Sequence, residues 1–91
     1  MKKVRFHLFI SGRVQGVFFR DITKKKAQEL AINGWVKNLP DGRVELVFEA
    51  EEDKAKKLIE WVKRGPIIAR VDYVEVIKEQ YQNEFRNFEI I

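Results

Sequence analysis

A strictly alternating run, a glycine-bearing turn and a helical spacing follow one another without interruption over the first third of this chain. Val4, Phe6, Leu8 and Ile10 alternate with Arg5, His7 and Phe9, the pattern of a strand with one strongly apolar and one mixed face. From Asp21 to Ala31 the pattern is that of a helix, with Phe19, Thr23, Ala27, Leu30 and Ala31 on its inner side. Between them lies Gly12-Arg13-Val14-Gln15-Gly16-Val17-Phe18-Phe19-Arg20. A strand that turns through glycine into a helix leaves backbone N–H groups unpaired and aimed outward, and the helix dipole adds partial positive charge there. Such a turn can seat an anion. Arg20 stands where loop becomes helix, and its planar guanidinium matches phosphate or carboxylate geometry. On residue chemistry alone two readings stand: an oxyanion site suited to phosphate, and an ordinary turn needing small residues, with Arg20 solvated.

The remaining segments fix the architecture. Asn33-Gly34 reads as the stop of the first helix, with Asp21 suiting its first turn. Trp35 to Asn38 and the alternating run Arg43 to Ala50 flank the turn residues Leu39-Pro40-Asp41-Gly42, which makes a hairpin. A second helix begins at Glu51-Glu52-Asp53, carries the stripe Ala55, Leu58, Ile59 and Val62, and stops at Gly65-Pro66. Val71 to Lys78 is a fourth strand whose alternation slips at Tyr73-Val74, as at a bulge. Gln80 to Asn87 is polar and loop-like, and Phe88 to Ile91 suits a short edge strand. The order βαββαβ with one-sided alternation predicts an α+β ferredoxin-like sandwich: an antiparallel sheet with two helices on one face and a short fifth C-terminal strand. Residues 1–91 form one domain in this reading. Right-handed crossovers place the third strand between the first and second. The glycine loop and Asn38 then leave the sheet at the same edge, with backbones roughly 10 Å apart.

Composition narrows the setting. Apolar residues make up 45% of the 91, enough for a core, yet no run approaches the ~20 apolar residues of a membrane span. Arg5 and His7 interrupt any apolar stretch behind Met1-Lys2-Lys3, so nothing marks secretion. Cysteine is absent, which removes disulfides, thiolate nucleophiles and Cys-based zinc sites. The expectation is a soluble cytoplasmic protein. Eighteen basic against 14 acidic residues give a net charge of +4, which favours anionic small molecules. The 35% of charged residues, rich in Lys and Glu, leans toward heat stability.

Two motifs together resemble the acylphosphatase family. The first is Ile10-Ser11-Gly12-Arg13-Val14-Gln15-Gly16-Val17-Phe18-Phe19-Arg20; the second is Gly34-Trp35-Val36-Lys37-Asn38, followed by Gly42-Arg43-Val44. Arg64-Gly65-Pro66, Ala69, Val71 and the closing Phe88-Glu89-Ile90 extend the similarity over essentially the whole chain. The resemblance implies hydrolysis of acyl phosphates to a carboxylate and inorganic phosphate, with no cofactor and no metal. It implies that the backbone N–H groups of Gln15, Gly16, Val17, Phe18, Phe19 and Arg20, with the Arg20 guanidinium, bind the phosphoryl group. Asn38 would hold the attacking water, and a substrate phosphate oxygen would take its proton. An amide can accept from a water while donating elsewhere, so the residue chemistry agrees. Two positions depart from the family pattern: Ala50 stands where glycine is usual, and Leu39-Pro40 follows Asn38 where many members carry small hydroxyl residues.

Other residues have plainer roles, and a second function stands beside this one. His7 lies on the mixed strand face and reads as structural, and no ligand spacing surrounds it. Trp35 and Trp61 fall at core-like positions, and Lys24 to Lys26 and Lys54, Lys56 and Lys57 read as solvated helix surface. Asp21 and Asp41 read as a first-turn acid and a turn residue rather than as bases. The alternative function is a non-catalytic anion- or RNA-binding ferredoxin-like module. An RNA-reading sheet face would carry Glu45 and Glu49 beside His7 and Phe9, and carboxylates there repel a phosphate backbone. The partner expected is a small-molecule acyl phosphate, with no nucleic acid and no membrane, and the chain as a monomer or weak homodimer.

Overall fold

The computed structural model describes residues 2–91. Its elements are β1 (Lys3–Arg13), α1 (Phe19–Glu29), β2 (Asn33–Asn38), β3 (Val44–Glu51), α2 (Glu52–Arg64), β4 (Arg70–Glu79) and β5 (Phe88–Ile90). The strands form one sheet in the order β4-β1-β3-β2-β5, with β3 between β1 and β2 as the ferredoxin-like topology requires. The β1–β3, β1–β4 and β2–β3 pairs are antiparallel. The fifth strand pairs with β2 in parallel, which makes the complete sheet mixed. The irregularity in β4 lies at Asp72: Ser11 faces Tyr73, and the next residue, Gly12, faces Val71.

Alternation sorts the strands as read from the sequence. Residues opposite one another in register share a face of the sheet, so Val4, Phe6, Leu8 and Ile10 line up with Ala50, Phe48, Leu46 and Val44. Phe19 and Ala27 of α1 and Ala55, Leu58 and Val62 of α2 bury against these residues in a single core, which puts both helices on one face. Ala50 is buried in regular strand and accommodates its side chain. Of the two tryptophans, Trp61 packs against the core as read, and Trp35 differs. Both are half-buried, and Trp35 lies on the face away from the helices, edge-on to His7 with the Lys37 ammonium 5.5 Å from its ring. No helix among the described residues is long and apolar enough to cross a membrane.

The first helix ends earlier than Asn33-Gly34. Ala31 takes the left-handed conformation (φ 57°), its N–H bonds to Gln28 O, and the N–H of Ile32 reaches back to Ala27 O at 2.9 Å. This is a Schellman closure built on alanine rather than glycine, which leaves Ala31 exposed rather than on the inner side. Gly34 instead serves the sheet. A Cβ there would lie 2.1 Å from Val47 O and 2.6 Å from the Phe48 Cα, so only glycine lets β2 approach β3 so closely.

Residues 80–87 carry the chain from β4 at one edge of the sheet to β5 at the other, and a buried charge cluster on the helix-free face fastens them. Glu49 accepts from the N–H groups of Gln82 (2.7 Å) and Glu84 (2.8 Å). Arg5 donates to Glu79 (2.8 Å), Glu84 (2.7 Å) and Glu49 (3.4 Å), with its guanidinium 5.0 Å from the centre of the Phe85 ring. Arg5 and Glu49 are only 9% and 6% exposed, so each charge depends on the other and on the strap for its solvation. His7 extends the cluster, its ring nitrogens 2.6 Å from Glu45 and 3.1 Å from Glu79.

Burial pushes the Glu49 carboxyl up, but donation from Gln82 and Glu84, with Arg5, outweighs it and leaves the net shift downward. A depressed folded-state pKa contributes stability above the ordinary carboxylate value, and that contribution is lost as pH falls through the folded value. Amide-exchange protection at Gln82 and Glu84, corrected for the intrinsic rate, is therefore expected to fall as pH drops below about 4. Glu49→Ala, which removes the acceptor of the Gln82 and Glu84 N–H groups and one of the three acceptors of Arg5, should cost about 1–3 kcal/mol in denaturant unfolding. Unchanged protection across that pH range would contradict this account of the strap.

Candidate active site

The loop between β1 and α1 is anchored at two apolar points. Val14 and Val17 are 1% and 3% exposed and belong to the core, so the intervening backbone is held rather than free. Gln15 supplies a third anchor that backbone considerations alone do not suggest. Its side-chain amide donates to Leu39 O (2.8 Å) and Arg43 O (2.9 Å), tying the loop to the turn between β2 and β3. Gly16 (φ 74°) and Phe18 (φ 61°) flank Val17, which does not share their positive φ. Alternating signs of φ turn successive N–H groups into one concavity, the arrangement of an anion nest. Glycine meets this geometry freely, whereas Phe18 adopts it with a side chain that remains 68% exposed. A bulky residue held in the left-handed region costs of order 1 kcal/mol and is characteristic of functional loops.

Phe18 is also the N-cap of α1, and no side chain caps the helix. The first N–H groups of α1 thus lack an intrahelical acceptor and face the same concavity. Phe19, 1% exposed, fixes the helix start by packing against Trp61, with ring centres 6.2 Å apart. A cleft of about 230 Å³ opens here, lined by Val14, Gly16, Phe18, Phe19, Arg20, Asp21 and Asn38.

Asn38 reaches this cleft by register. It faces Val44 across β2–β3, and Val44 faces Ile10 across β1–β3, so the three residues form one row on the helix-covered face. The Asn38 Oδ1 atom is buried and has no hydrogen-bond partner among the described residues. A buried acceptor without a donor costs about 1–3 kcal/mol, so this one is a ready seat for a donor from the cleft. Arg20 is half-buried and forms no ion pair among the described residues, which leaves its guanidinium available to an anion.

Five of the residues named from the sequence, Gly16, Phe18, Phe19, Arg20 and Asn38, therefore converge on one cleft. The side chains of Gln15 and Val17 point elsewhere, to the neighbouring turn and to the core, so only their backbone belongs to the loop's concavity. Asp21 is a first-turn acid, as the sequence predicts, and is also part of the cleft wall, a role signalled only by its position next to Arg20. Asp41 lies outside the wall. The Arg43 backbone N–H, with the Arg43 guanidinium, holds its carboxyl below the usual carboxylate range, so it is a poor base. Among the described residues no three His, Cys, Asp or Glu side chains cluster as a metal site.

A ferredoxin-like sandwich whose strand-to-helix loop forms an anion cleft, with a guanidinium and an unpaired amide oxygen on its wall, has the features of a hydrolase acting on a phosphoryl group. The acylphosphatase family model matches residues 6–90. An acylphosphatase of Syntrophobacter fumaroxidans is 52% identical over 90 residues, 99% of this chain and 93% of that one. The crystal structure of acylphosphatase from Bacillus subtilis superposes with a TM-score of 0.92 at 33% identity, over 97% of this chain and 98% of that one. An acylphosphatase structure from Coxiella burnetii gives the same TM-score at 42% identity, over 98% and 93% of the two chains. The chain belongs to the acylphosphatase family. It is an acylphosphatase in activity, a hydrolase whose substrates are small acyl phosphates.

Replacing Gln15 by Ala removes both amide donors that hold the β2–β3 turn. The expected result is a loss of about 1–3 kcal/mol of stability, read by denaturant unfolding, with a lower kcat because Asn38 precedes that turn. A variant equal to wild type in both would show that the clamp is incidental.

Proposed function

We propose that the two sides of the cleft divide the reaction between them. The N–H groups of Gln15, Gly16, Val17, Phe18, Phe19 and Arg20, with the Arg20 guanidinium, hold the phosphoryl oxygens. The Asn38 Oδ1 accepts a hydrogen bond from a water and aims its lone pair at phosphorus. The water oxygen bonds to phosphorus as the bond to the acyl oxygen breaks, the carboxylate leaves with that electron pair, and the water's proton passes to a phosphoryl oxygen. The observation that carries this reading is the buried, unpartnered Asn38 Oδ1 on the wall that also bears Arg20. Phosphoryl transfer depends largely on positioning and charge stabilisation, so a cradle, a guanidinium and an oriented water suffice without a metal or a protein base.

The same reading takes residues 1–91 as one cytoplasmic domain, a monomer or weak homodimer that binds neither nucleic acid nor membrane. The strap supports the exclusion of RNA, since its backbone binds Glu49 and so lies over the sheet face that would have to stack bases. The ion pairs of Arg5 with Glu49, Glu79 and Glu84 and of Lys37 with Glu45 support heat stability, since charge networks lose less to desolvation as temperature rises. A thermal midpoint well above the mesophile range of about 45–65 °C is expected, and one inside it would remove that part of the proposal.

Acyl phosphate hydrolysis measured with EDTA present tests the rest. Arg20→Ala and Asn38→Ala should each lower kcat/KM by about two to three orders of magnitude, with Asn38→Ala acting mainly on kcat. Asp41→Asn should stay close to wild type, and EDTA should leave the rate unchanged. Equal rates in wild type, Arg20→Ala and Asn38→Ala would overturn the division of roles.

A further inference from the structure

Asp21 is the one acidic side chain on the wall of the cleft, one residue along the first turn of α1 from Arg20. It is exposed, it does not cap the helix, and it forms no ion pair among the described residues. A carboxylate beside a helix N-terminus gains a little from the dipole, and a purely structural Asp21 would do no more than that. Here the residue also lines the cleft that the proposed function assigns to the phosphoryl group. Arg20 and the loop N–H groups take the phosphoryl oxygens, and Asn38 occupies the side from which the water comes. Phe18 and Asp21 are the two exposed side chains that line the cleft, so a group leaving the phosphoryl site for solvent passes into their neighbourhood.

We propose that Asp21 is a specificity-determining residue that selects the acyl group by its charge. It disfavours acyl phosphates carrying a second carboxylate, favours those carrying an ammonium group, and ranks neutral acyl groups between them. The effect is electrostatic and acts across a few ångströms of partly solvated space, so it is modest and fades with salt. The inference rests on the cleft being the phosphoryl site.

The test compares kcat/KM for 3-aminopropanoyl phosphate, acetyl phosphate and succinyl phosphate at low ionic strength. Wild type should rank them in that order. Asp21→Asn should compress the 3-aminopropanoyl to succinyl ratio by about three- to ten-fold, and about 0.5 M salt should do much the same to wild type. Asp21→Glu, which keeps the charge, should keep the ratio. Because the ratio is taken within one protein sample, a variant that is partly unfolded still gives a valid reading. An unchanged ratio in Asp21→Asn, or an equal change in Asp21→Glu, would overturn the proposal. If Arg20→Ala hydrolysed acetyl phosphate as fast as wild type, the assignment of the cleft would fail instead, and the two failures are separable.

Discussion

The ion pair between Arg5 and Glu49 is the constraint on which the completed sheet depends. Both charges are almost wholly withdrawn from water, and each is held there by the other together with residues 79–84. Their remaining hydrogen-bonding capacity goes to residues 79–84, and through these contacts the chain crosses the sheet to place β5 beside β2. A segment with no regular structure is thus fixed by side chains from the centre of the sheet. The apolar core supplies most of the driving force on the other face, while the charges decide where the last strand goes.

The catalytic end is organised by a different balance. Val14, Val17 and Phe19 are buried, and that burial holds the left-handed turn at Phe18 in place. The helix that follows has no side-chain cap, so its free N–H groups serve the cleft. Asn38 enters from the sheet with its oxygen unpaired. Each of these features is slightly unfavourable for the resting protein, and together they leave a cleft with unpaired polar groups on its wall.

Much of this was legible in the sequence because burial repeats with a period. The alternation of Val4, Phe6, Leu8 and Ile10 and the stripe of Ala55, Leu58 and Val62 gave the sheet face and the helix side directly. The convergence of Arg20 and Asn38 followed from topology, since parallel strands one place apart end at the same edge. What escaped was set by contacts between distant positions. Gly34 looks like a helix stop, yet its role is a close approach to Phe48, while the actual stop uses Ala31, which carries no local signal for a left-handed turn. The sequence around Gln80 to Asn87 is that of a loop, and nothing local announces that Glu49, more than thirty residues earlier, binds its backbone. Gln15 was counted for its N–H, whereas its amide side chain has a separate use.

That amide sets a spacing. By bonding both Leu39 O and Arg43 O, Gln15 works as a gauge block between the phosphate loop and the strand that carries Asn38. The separation of the two segments that line the cleft is thereby set by a pair of side-chain hydrogen bonds. Two segments far apart in the sequence are coupled in this way, and a shift of either one has to stretch or break those two bonds.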